Sequence, residues 1–60
     1  MRTIQGLRAD NHLSQADLAF KLGVSAKTIS EWETGKTELK PMHLYALAYV
    51  FNVSSDDIKV

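Results

Sequence analysis

The side chains able to do acid–base, metal or nucleophilic chemistry are poorly spaced for any of it. His12 and His43 stand thirty-one positions apart with no carboxylate at metal-ligand spacing from either, so each reads as a solvated or capping histidine. The lack of cysteine removes disulfides, thiolate chemistry and the usual zinc sites. There is no nucleophile-base constellation and no phosphate-binding glycine loop, and Asp56 and Asp57 read as helix-cap charges. The sequence therefore predicts no enzyme, no metal and no cofactor. One stretch still gathers polar groups, LGVSAKTISEWETGK from Leu22 to Lys36. It looks built to hold one short helix in an exposed position, and the question is what that helix is presented to.

The frame around it is small. Sixty residues make one domain, 1–60, and a chain of this length buries only about 60% of its unfolded surface. The longest apolar run, LYALAYVF at 44–51, falls far short of the ~20 residues of a membrane span, and no charged-then-apolar signal segment opens the chain. These features predict a soluble, cytoplasmic protein with no membrane partner. Seven basic and seven acidic side chains leave a formal net charge of zero, so bulk electrostatics do not point to a polyanion. Any nucleic-acid reading must rest on local geometry.

Four segments show helical periodicity: Thr3 to Asn11, Gln15 to Leu22, Ala26 to Glu33 and Pro41 to Phe51, numbered helices 1 to 4, with a last turn after Ser54. The starts share one device, an apolar residue just before the N-cap and another five positions later. Leu13 and Leu18 flank Ser14, Val24 and Ile29 flank Ser25, Leu39 and Leu44 flank Lys40, and Val53 and Ile58 flank Ser54. That spacing is the hydrophobic staple. Asp17 after Ser14 and Asp57 after Ser54 add a capping pattern, and Pro41 occupies a first helical position, where its missing N–H costs nothing. Ile4 and Leu7, then Leu18, Ala19 and Leu22, then Ile29 and Trp32, then Leu44, Leu47, Ala48 and Phe51 give each helix one apolar stripe. Gly6 weakens helix 1 by about 1 kcal/mol relative to Ala. Nothing alternates with period two, and no repeat or linker divides the chain.

Helices 2 and 3 are joined very tightly. Gly23 directly follows Leu22, where a left-handed residue ends a helix without a Cβ penalty, and only Val24 separates it from the cap Ser25. Ala19 is small where one helix must pass closely over the other, and Leu18, Leu22, Val24, Ile29 and Trp32 fill the angle between them. This is the helix-turn-helix arrangement, whose second helix is supported from behind and free in front. A packed helical pair of purely structural use shares parts of the pattern.

The runs LSQADLAFKLGVSAKTISEWETGK and LYALAYVFNVSSDDI also make the chain resemble the phage-repressor type of helix-turn-helix, the Cro/XRE-like DNA-binding domains, without gaps from about Ile4 to Ile58. The resemblance implies an all-α, compact five-helix bundle. It also implies a sequence-specific regulator of transcription, a repressor, which inserts helix 3 into the major groove of double-stranded DNA, often as a two-fold homodimer.

Carried onto this sequence, the resemblance puts Gln15, at the first turn of helix 2, on a backbone phosphate beside free helix N–H groups. Ser25, Ala26, Lys27, Thr28 and Glu31 fall where base edges are met, with Ser30 at the border with the backbone. Lys36, Thr37 and Lys40 would grip the second strand's backbone. A long amide side chain is common where this sequence has Ala26. Readout then rests on Lys27 donating to guanine, Glu31 accepting from cytosine N4, and Ala26 or Thr28 touching a thymine methyl. The alternative for Lys27 and Glu31 is a surface ion pair one helical turn apart. Arg8 and Glu33 match positions that form an internal ion pair, and Trp32 follows Ile29 on the inner stripe, so these three are read as structural.

A rival reading keeps the fold and binds protein, as an antitoxin-like or co-regulator module. Beyond its core stripe helix 4 shows Met42, Tyr45, Tyr49 and Val50, and Phe20 stands where a polar residue is usual. A self-dimer through Met42, Tyr45, Tyr49 and Val50, with Ile58 or Val60 nearby, accounts for helix 4. A foreign protein partner better accounts for Phe20.

Overall fold

The computed structural model describes residues 1–59 and contains four α-helices: α1 (Ile4–Asp10), α2 (Gln15–Leu22), α3 (Ala26–Thr34) and α4 (Pro41–Phe51). The expected fifth helix is a single 3-10 turn, Ser55–Asp57, too short to bury a stripe of its own. Each helix starts where local chemistry satisfies its first N–H groups. Ser14 and Asp17 form a reciprocal capping box, Ser25 accepts from Thr28 N, and Pro41 opens α4 after Lys40, whose long side chain makes no cap. The Ser14 backbone N–H, and after it the Ser14 hydroxyl, hold the Asp17 carboxyl below the ordinary aspartate range. Thr3, expected inside helix 1, is its N-cap and accepts from Gly6 N at 2.9 Å. A Cβ on Gly6 would sit 3.0 Å from that hydroxyl oxygen, so the glycine leaves room for the cap. The capping pattern at Ser54 and Asp57 does not form. Ser54 accepts instead from Asp56 N at 3.3 Å, because the 3-10 turn advances faster than an α-helix.

The helices end alike. A left-handed residue follows each, namely His12, Gly23, Gly35 and Asn52, and the residue after it bonds back five positions: Leu13 to Arg8, Val24 to Ala19, Lys36 to Glu31 and Val53 to Ala48. His12 carries a positive φ of 56° with a Cβ present and an exposed side chain. It is a capping residue through its backbone. Left-handed strain of about 1–2 kcal/mol at a non-glycine residue exceeds the extra chain entropy of glycine. His12→Gly is accordingly expected to stabilise by up to ~1 kcal/mol, seen as a melting temperature higher by a few degrees. A lower melting temperature would show that His12 makes compensating contacts.

The core is continuous across all four helices: Ile4, Leu7, Leu18, Ala19, Ile29, Trp32, Leu47, Ala48 and Phe51 are buried. All eight staple residues belong to it or pack against it. Ile58 is also buried, at 3% exposure, which removes it from the apolar surface patch expected to include it. It is held there by a single parallel β-bridge to Arg2: Arg2 N donates to the Asp57 carbonyl at 2.7 Å and Lys59 N to the Arg2 carbonyl at 2.8 Å. One pair of residues has no periodicity, so no sequence pattern announces it. Val60, the other residue expected near that patch, lies outside the described residues. No helix among the described residues is long and apolar enough to cross a membrane.

Candidate nucleic-acid interface

The interface is built around the joint between α2 and α3, the most extensive helix–helix contact in the domain. Gly23 adopts φ 72° and a Cβ there would meet nothing within 4 Å, so backbone conformation alone requires the glycine. Ser25 then starts α3, its hydroxyl accepting from Thr28 N at 3.2 Å and lying 3.0 Å from the Thr28 hydroxyl. Ala19 is 4% exposed and Ile29 is fully buried, so α3 is seated on its inner face. Trp32 closes the seat, its ring centroid 4.9 Å from that of His43 on α4. His43, expected to be solvated or capping, is half-buried and packs on this indole instead, because α4 turns that face inward.

The outer face of α3 is free. Ser25, Ala26 and Lys27 are exposed, and Thr28, Ser30 and Glu31 are partly so. Lys27 and Glu31 do not pair: among the described residues the ion pairs are Arg2 with Asp10 and Arg8 with Glu33. Lys27 is thus available to an acceptor. Glu31 is less so, for its carboxylate lies 3.5 Å from the Thr37 hydroxyl and its carbonyl accepts from Lys36 N at 2.9 Å. The helix face and the loop after it are tied together at this residue. Lys36 and Thr37, both bonded to Glu31, are exposed, and so is Lys40 at the end of the loop.

Behind the interface, Arg8 and Glu33 form the internal pair expected of them. Arg8 Nε donates to Glu33 Oε2 at 2.7 Å and Nη2 to Oε1 at 3.3 Å, while Nη1 donates to the Leu13 carbonyl at 3.0 Å. The hydrogen bond to Glu33, and secondarily its charge, raises the Arg8 pKa above its ordinary value against the opposing effect of burial. Glu33 is spent inside the fold. The surface from 15 to 40 then carries Lys21, Lys27, Lys36 and Lys40 against Asp17, Glu31 and Glu38, a slight positive excess in a chain of zero net charge.

A family model described as helix-turn-helix matches residues 4–58. The chain belongs to the helix-turn-helix family. It is 43% identical over 51 residues to an uncharacterized HTH-type transcriptional regulator of Methanocaldococcus jannaschii, covering 85% of this chain and 77% of that protein. No solved structure matches.

In the helix-turn-helix domain Ser25, Ala26 and Lys27 on α3 and Lys36, Thr37 and Lys40 in the loop after it are exposed, and Thr28, Ser30 and Glu31 are partly so. Gln15 is tied into the fold. Its side chain is half-buried and its Nε2 donates to Glu33 Oε1 at 3.0 Å, a contact the sequence reading did not anticipate. Nothing in the spacing of Gln15 and Glu33 announces it; the signal was the Arg8–Glu33 pair, which leaves carboxylate lone pairs to be satisfied. The Arg2–Asp10 pair, 2.8 Å and exposed, was missed as well. Surface pairs of this kind contribute about 0–1 kcal/mol.

Proposed function

We propose that this domain is a sequence-specific DNA-binding regulator that lays α3 in the major groove. The observation that carries this reading is the asymmetry of α3: Ile29 and Trp32 fix its inner face, while Ser25, Ala26 and Lys27 stand exposed at its N-terminal end. An α-helix with side chains is ~10–12 Å across, close to the width of the B-DNA major groove, and the N-terminal residues of a recognition helix are the ones that meet base edges. Lys27 reads guanine, Ala26 and the Thr28 methyl face thymine methyls, and Lys36, Thr37 and Lys40 hold the backbone. Glu31, turned toward Thr37, reads cytosine only if that contact opens. Action as a repressor follows from the likeness to phage repressors and from simple occlusion of a bound site.

Two kinds of contact should separate on mutation. Lys36→Ala is expected to weaken binding to all sequences about equally and to reduce the salt slope by about 1, whereas Lys27→Ala relaxes preference at one base pair by roughly 1–3 kcal/mol. Selection of bound sequences from a random pool, repeated for both variants, measures this. The unaltered domain should show a shallow salt dependence, since only Lys21, Lys27, Lys36, Lys40 and helix ends are available and each neutralised phosphate contributes ~0.9 to the slope. A slope near ten per monomer would contradict the contact set.

Phe20, 89% exposed on the outer face of α2, favours a second reading in which the same fold binds a protein. Failure of the unaltered domain to retard random genomic DNA at low salt would select that reading.

A further inference from the structure

We propose that Glu33 is a positioning residue for DNA-backbone binding, its carboxylate orienting the Gln15 amide so that the second N–H of that amide is offered to a phosphate at the start of α2. The inference rests on the DNA-binding reading above. An ionised carboxylate only accepts hydrogen bonds, so Gln15 must turn its nitrogen, not its oxygen, toward Glu33 Oε1, 3.0 Å away. This removes the ambiguity that a free glutamine has. Gln15 makes no other side-chain hydrogen bond among the described residues, and its second N–H diverges from the first by the ~120° of a planar amide. The rotamer freedom that an exposed glutamine would lose on meeting a phosphate is given up in the fold, before DNA arrives.

The charge arrangement makes this workable. A bare carboxylate this close to a DNA strand would repel it, but Glu33 is 5% exposed and Arg8 grips both of its oxygens. Arg8 also donates to the carbonyl of Leu13, the residue just before the Ser14 cap. The entry to α2 is therefore held from α1 through Leu13 and from α3 through Gln15.

The test is a double-mutant cycle on binding of a mixed-sequence 25-base-pair duplex at low salt, because phosphate contacts are sequence-independent. Gln15→Ala is compared in the unaltered protein and in an Arg8→Met/Glu33→Met background, which removes both charges together so that neither is stranded. Gln15→Ala is expected to weaken binding about fivefold or more in the first and less than twofold in the second. Equal losses in both, or no loss in either, overturn the positioning role while leaving DNA binding in place. No duplex binding by the unaltered protein overturns the DNA-binding reading and this inference together. A second readout needs neither DNA nor the variant background: of the two Gln15 side-chain amide protons, which the stiff C–N bond keeps distinct in any glutamine, the one facing Glu33 should be shifted from its free-glutamine position and protected from exchange. Two protons with the shifts and exchange rates of a free glutamine side chain in the unaltered domain would overturn the proposal.

Discussion

Glu33→Ala is expected to destabilise the domain by about 3–5 kcal/mol, the loss typical of breaking a buried ion pair from one side. The carboxylate is 5% exposed and accepts from Arg8 Nε, Arg8 Nη2 and Gln15 Nε2, so its removal leaves three donors and one positive charge without a partner. At ~0.05–0.15 kcal/mol per residue a chain of this length has only about 3–9 kcal/mol of total stability, so the loss removes a third or more of it and lowers the unfolding midpoint in proportion. Replacing both residues, Arg8→Met/Glu33→Met, should recover most of the loss, because apolar side chains of similar length need no partners. Urea unfolding followed by helicity distinguishes the cases. A loss below ~1 kcal/mol for Glu33→Ala would mean that water reaches the pair and screens it, as at an exposed bridge.

The same pair shows where sequence reading succeeds and where it stops. Helix starts were legible because a cap is made by residues three apart: Ser14 with Asp17 and Ser25 with Thr28 are contacts within one turn. The turn at Gly23 was legible because a left-handed backbone between two apolar stripes nearly demands glycine. His12 and Asn52 do the same work with side chains that carry no such mark, and only their φ of 56° exposes it. The seat of α3 was read correctly from Ile29 and Trp32, three apart on one face. Arg8 with Glu33 is different in kind. Twenty-five positions separate them, no periodicity links them, and the pairing came from resemblance alone. The resemblance that puts Gln15 on a phosphate does not register that its amide also donates to Glu33, the partner of Arg8. For Ile58 the sequence offers two readings, staple partner of Val53 and neighbour of the helix 4 patch, and does not decide between them. The bridge to Arg2, fifty-six positions away, is what turns it inward. Local chemistry was visible, and tertiary pairing was visible only through likeness.

Tyr45→Glu combined with Tyr49→Glu is expected to leave a folded, helical monomer whose affinity for its preferred site is about a hundredfold lower or worse, because avidity between two linked recognition helices is lost. The stripe concerned is clear in the structure: Met42, Tyr45 and Tyr49, at spacings of three and four on α4, are 69%, 62% and 88% exposed, on the side away from Leu47, Ala48 and Phe51. Val50 borders the stripe half-buried, and Ile58 contributes nothing to it. We propose that a second copy of the domain covers it. A lone recognition helix with few phosphate contacts selects poorly among a genome's competing sites, whereas an isologous contact doubles the interface and brings the same aromatic patch from each subunit together. Two recognition helices in successive major grooves, about 34 Å apart, call for a roughly palindromic site. The glutamates put like charges into the centre of that contact without touching the core, so loss of dimer with helicity retained is the specific signature. Sedimentation that finds the unaltered domain monomeric at high micromolar concentration, even on its selected DNA, would exclude the dimer and leave the α4 stripe, with Phe20, to a different protein.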